Sequence, residues 1–153
     1  MPGVYDKGGA QRHYNFRLFR QFRHSYQMYE LNVITKFSAA HQLTMVGSKC
    51  ENMHGHNWKV EVHVTGENLD EGGVVMDFGD IKKHVRDIML LLDHKYLNEL
   101  EFFQQSQPSS ENIAWFVAHE LQQRIDHPSV KVSRVTAWES DDASATYIVD
   151  QTQ

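Results

Sequence analysis

The order in which strand and helix patterns follow one another is the feature of this sequence that most restricts its fold. Apolar and polar side chains alternate from Leu31 to His41 and from Asn57 to Thr65, as expected for strands with one buried face. Two segments with apolar residues every three to four positions follow, and these predict amphipathic helices. Strand patterns return at 130–139 and 143–149. The resulting β-β-α-α-β-β order places two strand hairpins around a pair of helices, which predicts an α+β fold.

The starts of the two helices carry their own signals. The first helix is expected to begin at about Asp77 or Asp80 and to run to Leu92. The second should begin with Ser109 as its N-cap, because a serine hydroxyl accepts a hydrogen bond from a free N–H group of the first turn. Both helices would then lie between the two hairpins.

Composition places the chain among single-domain proteins that fold without covalent cross-links. Its 153 residues correspond to one domain at ~100–200 residues per domain. The one cysteine excludes a disulfide within the chain and favours a reducing, cytoplasmic location. The sequence contains no run of ~18 apolar residues that would cross a membrane as a helix. The net charge of −5 argues against general binding to nucleic acid.

The beginning of the chain differs in charge from the rest. Residues 1–30 carry five lysines and arginines against Asp6 and Glu30, whereas the remainder carries ten against eighteen acidic residues. We therefore expect a flexible basic N-terminal extension at 1–29, followed by a single catalytic domain at 30–153.

Three histidines form a pattern typical of a metal site. His54 and His56 are two residues apart, so on a strand their side chains share one face, which continues into apolar residues. His41 ends the apolar face of the preceding strand, and a hairpin would bring the three imidazoles together. Three histidines with an open fourth position are typical of catalytic zinc, and the alternative is a set of hydrogen-bonded core histidines. Six other histidines lack partners at such a spacing and are expected at the solvated surface: His13, His24, His63, His84, His119 and His127.

Three further features are candidates for catalysis, each with a structural alternative. Cys50 lies four residues before His54, and a thiolate beside a metal or imidazole can act as base or nucleophile; the alternative is an inert buried cysteine. Asp93 precedes His94 and could orient it, although histidine is also favoured at helix C-termini. Glu139 ends a strand, either as a surface charge or as a carboxylate that accepts parallel N–H groups from a heterocycle.

These motifs, in this order, resemble the 6-pyruvoyl tetrahydropterin synthase and 6-carboxytetrahydropterin synthase family. The matching segments are Phe37-Ser-Ala-Ala-His41, Cys50-x3-His54-Gly-His56-Asn-Trp58, Asp77-Phe78, Leu92-Asp93-His94-x2-Leu97-Asn98, Pro108-Ser-Ser-Glu111-Asn112-Ile113-Ala114, and Glu139 before a last strand with Tyr147. The resemblance covers Leu31 to Val149 and leaves the N-terminal segment without a counterpart.

The resemblance implies a tunnelling fold and an assembly. In that fold each subunit contributes a four-stranded antiparallel sheet with two helices on one face. Three subunits would close a barrel, and two trimers would stack into a homohexamer with sites at the subunit interfaces.

The resemblance also implies a role for each candidate residue. The zinc ligands of the family correspond to His41, His54 and His56. Cys50 corresponds to the cysteine that abstracts a proton, and Glu139 to the glutamate that anchors the pterin ring. The relay pair, which in this family reaches the site across a subunit boundary, corresponds to Asp93 and His94.

The spacing of the cysteine divides the family. The Cys-x3-His-Gly-His spacing of this chain is similar to that of the queuosine-pathway enzymes, whereas the pyruvoyl-forming enzymes resemble Cys-x5-His-Gly-His. The implied function is a zinc-dependent lyase that converts 7,8-dihydroneopterin triphosphate to 6-carboxy-5,6,7,8-tetrahydropterin, acetaldehyde and triphosphate. Two alternatives stay open: a 6-pyruvoyl tetrahydropterin synthase that eliminates triphosphate, and a non-catalytic, zinc-stabilised pterin-binding module.

Overall fold

A computed structural model describes residues 27–44 and 51–150 of the chain. Within these ranges one antiparallel sheet has the strand order β1-β2-β3-β4. The strands are β1 (Tyr29–His41), β2 (His54–Gly66), β3 (Val130–Trp138) and β4 (Ser144–Ile148). The helices are α1 (Phe78–Leu92), α2 (Glu101–Gln104) and α3 (Ser110–Arg124), with a 3₁₀ turn at Leu97–Glu99. The predicted α+β architecture and its β-β-α-α-β-β order are confirmed.

The core lies between one face of the sheet and the two long helices. Alternate residues of β2 face the helices and are at most 1% exposed: Trp58, Val60, Val62 and Val64. The buried residues of α1 recur every three to four positions and pack against them: Ile81, Val85, Ile88, Met89 and Leu92. Removal of this apolar surface from water is the main stabilising contribution to the fold.

The helix starts follow the capping chemistry expected from the sequence. Asp77 is the N-cap of α1, and its side chain accepts a hydrogen bond from Gly79 N–H. Ser109 is the N-cap of α3, and its hydroxyl accepts from Asn112 N–H at 3.3 Å. The short helix α2 and the 3₁₀ turn were not expected, because segments of three or four residues are too short to show a helical period.

One histidine expected at the solvated surface is buried. His63 is 7% exposed, and its Nδ1 lies 3.2 Å from Glu30 Oε2 on β1. Arg134, opposite His63 on β3, also contacts Glu30 at 2.8 Å, and these two long side chains cover the imidazole. The prediction for His63 is therefore wrong. Side chains from the neighbouring strands exclude water from this residue, although it lies on the face of β2 that has a polar sequence pattern.

The other surface predictions have mixed outcomes. His127 is exposed, as expected. His119 is half-buried, with its ring centroid 3.6 Å from that of Trp115. His13, His24, the extension at 1–26 and Cys50 lie outside the described residues. Among the described helices, none is both long and apolar enough to cross a membrane.

Candidate metal centre and active site

Strand register brings the three predicted histidines together at one end of the sheet. His41 is the residue of β1 opposite His54 on β2, and Ala39 is opposite His56. Because alternate residues of a strand share a face, the three side chains project from the core side of the β1–β2 hairpin. Their ring centroids lie 4.6 to 5.2 Å apart. The alternation that predicted this cluster is present in the structure.

Glu139 joins the same group from the third strand. Trp138 is paired with Lys59 of β2, so the following residue lies near the start of β2. One carboxylate oxygen of Glu139 is 3.1 Å from His56 Nε2, and the other accepts a hydrogen bond from Ser110 Oγ at 3.1 Å. Four donor atoms, one each from His41, His54, His56 and Glu139, lie within 4.8 Å of one another. The arrangement is the size of a metal coordination shell.

Hydrogen bonds set the tautomers of two of these histidines. His41 Nδ1–H donates to the Pro108 carbonyl at 2.7 Å, and His54 Nδ1–H donates to the Asn52 carbonyl at 2.7 Å. With Nδ1 as the donor in each ring, the Nε2 atoms are the ones left to bind a metal, and they lie 3.1 Å apart. Metal-binding histidines are commonly oriented by such a bond from the second ring nitrogen.

The third histidine also presents an unsatisfied nitrogen. The Nε2 atom of His56 is buried and makes no hydrogen bond of normal geometry, despite its short distance to Glu139. Burial lowers the pKa of His56, although the Glu139 carboxylate acts in the opposite direction. Burial likewise lowers the pKa of His41. Neutral imidazoles beside a carboxylate suit a cation among them, and a set of three nitrogens and one oxygen fits zinc.

An aromatic layer supports the histidines from the core. The Trp58 ring is fully buried and meets the rings of His41 and His56 edge-on, at centroid distances of 5.2 and 5.4 Å. Phe37 stacks parallel to Trp58 at 5.9 Å. Since these aromatic side chains are packed in the core, the imidazoles are held in fixed orientations before any ligand binds.

The predicted relay pair lies against the outer edge of β1 and is bonded to it. Ser38 N–H donates to Asp93 Oδ1 at 2.8 Å, and His94 N–H donates to the Ser38 carbonyl at 2.6 Å. The other oxygen of Asp93 is 2.9 Å from His94 Nδ1. The Ser38 N–H group, followed by His94, lowers the pKa of the Asp93 carboxyl. The pair is therefore formed in the single chain, with an ionised carboxylate directed at the imidazole.

His94 is held in an unusual backbone conformation. Its φ is 55°, in the left-handed region that non-glycine residues rarely adopt, and its side chain is 80% exposed. Such a conformation costs about 1–3 kcal/mol and is found mainly at functional positions. A cleft of about 490 Å³ is lined by both His94 and His56, so one member of the relay pair and one member of the metal group border the same space.

The segment that follows His41 is held by two carboxamide side chains that the sequence motifs left without a role. Asn98 accepts from Gln42 N–H at 2.9 Å and donates to the Gln42 carbonyl at 2.8 Å. Gln107 makes the same two kinds of contact with the backbone of Thr44. These two clasps, the paired hydrogen bonds of Asn98 and Gln107 with the backbone, have matching geometry and fix the chain directly beyond a candidate ligand. The Leu97-Asn98 motif was a signal for the first clasp, whereas Gln107 had none.

Ser110 is a further residue that the sequence reasoning missed. It follows the N-cap Ser109, and only the fold shows that its hydroxyl reaches Glu139. Of the predicted catalytic residues, Cys50 lies outside the described ranges, and its place in the site stays a prediction.

Comparison with known proteins agrees with this geometry. A family model described as 6-pyruvoyl tetrahydropterin synthase matches residues 30–149. A protein of Archaeoglobus fulgidus, provisionally named 6-carboxy-5,6,7,8-tetrahydropterin synthase, is 39% identical over 112 residues, which cover 73% of this chain and 89% of that protein. The dihydroneopterin monophosphate aldolase of Pyrococcus furiosus is 34% identical over 106 residues, covering 69% of this chain and 85% of that protein.

The solved structures extend the agreement to the fold. The structure of Caenorhabditis elegans 6-pyruvoyl tetrahydropterin synthase superimposes with a TM-score of 0.72 at 29% identity, covering 81% of this chain and 97% of that one. The tunnelling fold of the subunit is thus confirmed. Together with the family match over most of the chain, this shows that the protein belongs to the 6-pyruvoyl tetrahydropterin synthase family.

Proposed function

We propose that the protein is a zinc-dependent 6-carboxytetrahydropterin synthase. It converts 7,8-dihydroneopterin triphosphate and one water molecule to 6-carboxy-5,6,7,8-tetrahydropterin, acetaldehyde and triphosphate, as in queuosine biosynthesis. The observation that carries the proposal is the convergence of three imidazole nitrogens and one carboxylate within 4.8 Å. The Cys-x3-His-Gly-His spacing and the name of the Archaeoglobus fulgidus relative favour the carboxy product.

His41, His54 and His56 would hold the zinc ion. When bound, zinc acts as a Lewis acid that acidifies C–H and O–H groups next to the oxygens it contacts. The Pro108 and Asn52 carbonyls keep the imidazoles of His41 and His54 in the tautomer that binds metal.

The remaining residues of the proposed site bind the substrate and move protons. Glu139 accepts the amino and ring N–H groups of the pterin, which fixes the ring so that its side chain reaches the metal. Cys50, as a thiolate, removes a proton from the substrate side chain. His94, oriented by Asp93, returns or moves protons on the opposite face of the substrate. These transfers reduce the ring internally, expel triphosphate and permit cleavage of the carbon–carbon bond.

We also propose the oligomeric barrel implied by the family, as a homohexamer in the cytoplasm. The relay pair lies at the β1 edge of the sheet, where the His94 side chain is 80% exposed in a single chain. Pairing of this edge with another subunit would enclose His94 and complete a site from two chains. A barrel built in this way removes the exposed edges of the sheet.

The test is to incubate the zinc-loaded protein with 7,8-dihydroneopterin triphosphate and to identify the products by mass spectrometry. Carboxytetrahydropterin with acetaldehyde is the expected result. A pyruvoyl product would assign the chain to the reaction named for the Caenorhabditis elegans relative. Cleavage of dihydroneopterin monophosphate in preference to the triphosphate would instead favour the reaction named for the Pyrococcus furiosus relative.

Two controls separate catalysis from pterin binding alone. Metal-free protein should leave the substrate unchanged, and added zinc should restore turnover. If the zinc-loaded protein binds the pterin and leaves every candidate substrate intact, the protein is a non-catalytic pterin-binding module and the proposal is wrong.

A further inference from the structure

Glu139 occupies a position that its role as a pterin anchor does not explain. On the proposed function, its carboxylate binds the amino-pyrimidine edge of the pterin, while the side chain at the opposite end of the bicyclic ring reaches the metal. In the structure, however, the carboxylate lies within the histidine group, 3.1 Å from His56 Nε2. A pterin ring cannot lie between atoms this close, so one conformation of Glu139 cannot serve both contacts.

We propose that Glu139 is the fourth protein ligand of the metal in the substrate-free enzyme, and that substrate binding transfers its carboxylate from the metal to the pterin. The first half of this inference depends only on the side chains of the group. The second half depends on the proposed function.

The donor chemistry supports the ligand role. His56 Nε2 and the nearer carboxylate oxygen of Glu139 are close enough for a hydrogen bond, yet Nε2 has no partner of normal hydrogen-bond geometry. Two lone-pair atoms at this distance repel each other unless a cation lies near both. The Nε2 atoms of His41 and His54 lie 3.1 Å apart, within hydrogen-bond distance, and both belong to the same group of donors. Four such donors around one point are the usual ligand number of zinc.

Ser110 holds the carboxylate in this position. Its hydroxyl donates to the second oxygen of Glu139 at 3.1 Å, which leaves the first oxygen directed towards the histidines. Ser110 is the first residue of the 15-residue helix α3, whose N-terminus stabilises nearby negative charge. Ser110 is therefore a positioning residue, because it acts on the metal group through Glu139.

The exchange gives the site two forms. Without substrate, four protein side chains surround the metal and occupy the position that the substrate would take. The pterin offers two parallel N–H donors, which form strong paired hydrogen bonds with a carboxylate. Departure of Glu139 to these donors opens the position that the substrate oxygens need. Recognition of the ring and opening of the metal site are then one event.

The first experiment measures zinc affinity of the substrate-free protein by competition with a chelator. Glu139→Gln keeps the size of the side chain and removes its charge, and it should weaken zinc binding by about 10–100-fold. Ser110→Ala should weaken it by a smaller factor, which keeps the test valid if the first variant folds poorly. Asp141→Asn is the matched control, since it removes an exposed carboxylate two residues away and should bind zinc as the wild type does. Wild-type affinity in Glu139→Gln would overturn the proposal.

The second experiment follows the exchange with cobalt in place of zinc. Addition of neopterin, which lacks the triphosphate, should change the visible cobalt spectrum of the wild type. Glu139→Gln should start from a different spectrum and respond less. A wild-type spectrum that does not change at saturating neopterin would overturn the exchange.

The outcomes separate this inference from the proposed function. Weakened zinc binding in Glu139→Gln supports the ligand role even if dihydroneopterin triphosphate is not turned over. Normal turnover by the wild type, with a Glu139→Gln variant that has a raised KM and wild-type zinc affinity, supports the anchor role and refutes the ligand role.

Discussion

The histidine group and the Asp93–His94 pair each contribute one residue, His56 and His94, to the lining of one cleft, but the protein holds the two groups in opposite ways. His41 is fully buried, and contacts from Pro108 and Trp58 fix its ring on two sides. His94 is 80% exposed and strained, and its imidazole is held by the neighbouring carboxylate. The first arrangement is complete within one chain. The second is oriented but open to solvent.

On the proposed function, this difference separates the residues that bind the metal from the histidine that transfers protons. A metal ligand must be rigid, since small displacements change coordination geometry, and the core supplies that rigidity. A proton-transferring histidine needs a fixed direction and access to substrate, which the Ser38–Asp93–His94 contacts supply without burial. Substitutions in the two regions should therefore separate metal binding from catalysis.

The largest effect is expected from loss of a metal ligand. His54→Ala removes one of three imidazoles and leaves the others too few for tight binding, so zinc affinity should fall by more than about 100-fold and turnover should cease. Metal analysis of the purified variant measures this directly. His127→Ala is the control, since that histidine is exposed and distant in sequence from the group. If the His54→Ala protein retained its full zinc content, the proposed metal centre would be wrong.

Cys50→Ala should affect turnover and leave the metal in place. General acid–base groups typically contribute ~10²–10⁴-fold, and kcat should fall by about that factor. Zinc content should equal that of the wild type, which distinguishes a base from a metal ligand. Substantial retained activity would exclude Cys50 from the mechanism, and loss of zinc would instead make it a ligand.

His94→Gln should give a smaller effect of the same kind. We expect kcat to fall by about 10²-fold, at the lower end of the usual range, because water can reach the exposed position and replace part of the proton transfer. KM and zinc content should change little, since no contact joins His94 to the metal ligands among those described. A variant that loses zinc would show that the two regions are not separate.

The sequence supported prediction of the parts of the site that depend on local periodicity. His54 and His56 share a face because strand side chains alternate, and the hairpin places His41 opposite His54. Glu139 could be predicted as a site residue by resemblance, but its contact with His56 depends on the register of β3 against β2. That register cannot be predicted from the sequence pattern within either strand.

Contacts between distant segments account for what was missed. The burial of His63 follows from Glu30 and Arg134, which belong to two other strands, and from the irregular register at His63–Val64. The Ser110–Glu139 hydrogen bond joins residues 29 positions apart. Sequence periodicity predicts which face of a helix or strand a residue occupies, whereas these contacts depend on how the helices and strands pack together.

The smallest effect is expected from the pH dependence of the Asp93 contact. Hydrogen bonds from Ser38 and His94 lower the pKa of the folded Asp93 below the ordinary aspartate value of 3.8, so the contact stabilises the fold above that pH. The contribution should be lost as pH falls through the lowered folded pKa, because the carboxylate then takes up a proton. Asp93→Asn should therefore be less stable than the wild type at neutral pH, and the difference should shrink at acid pH.

Urea unfolding of the metal-free protein at several pH values measures this difference without interference from metal release. Asp87→Asn, an exposed substitution on α1, is the control and should show no such trend. If the stability gap between wild type and Asp93→Asn were constant with pH, the carboxylate would contribute no charge-dependent stability to the fold. The hydrogen bond from Ser38 N–H to Asp93 would then stabilise the fold to the same extent whether or not the carboxyl group is ionised.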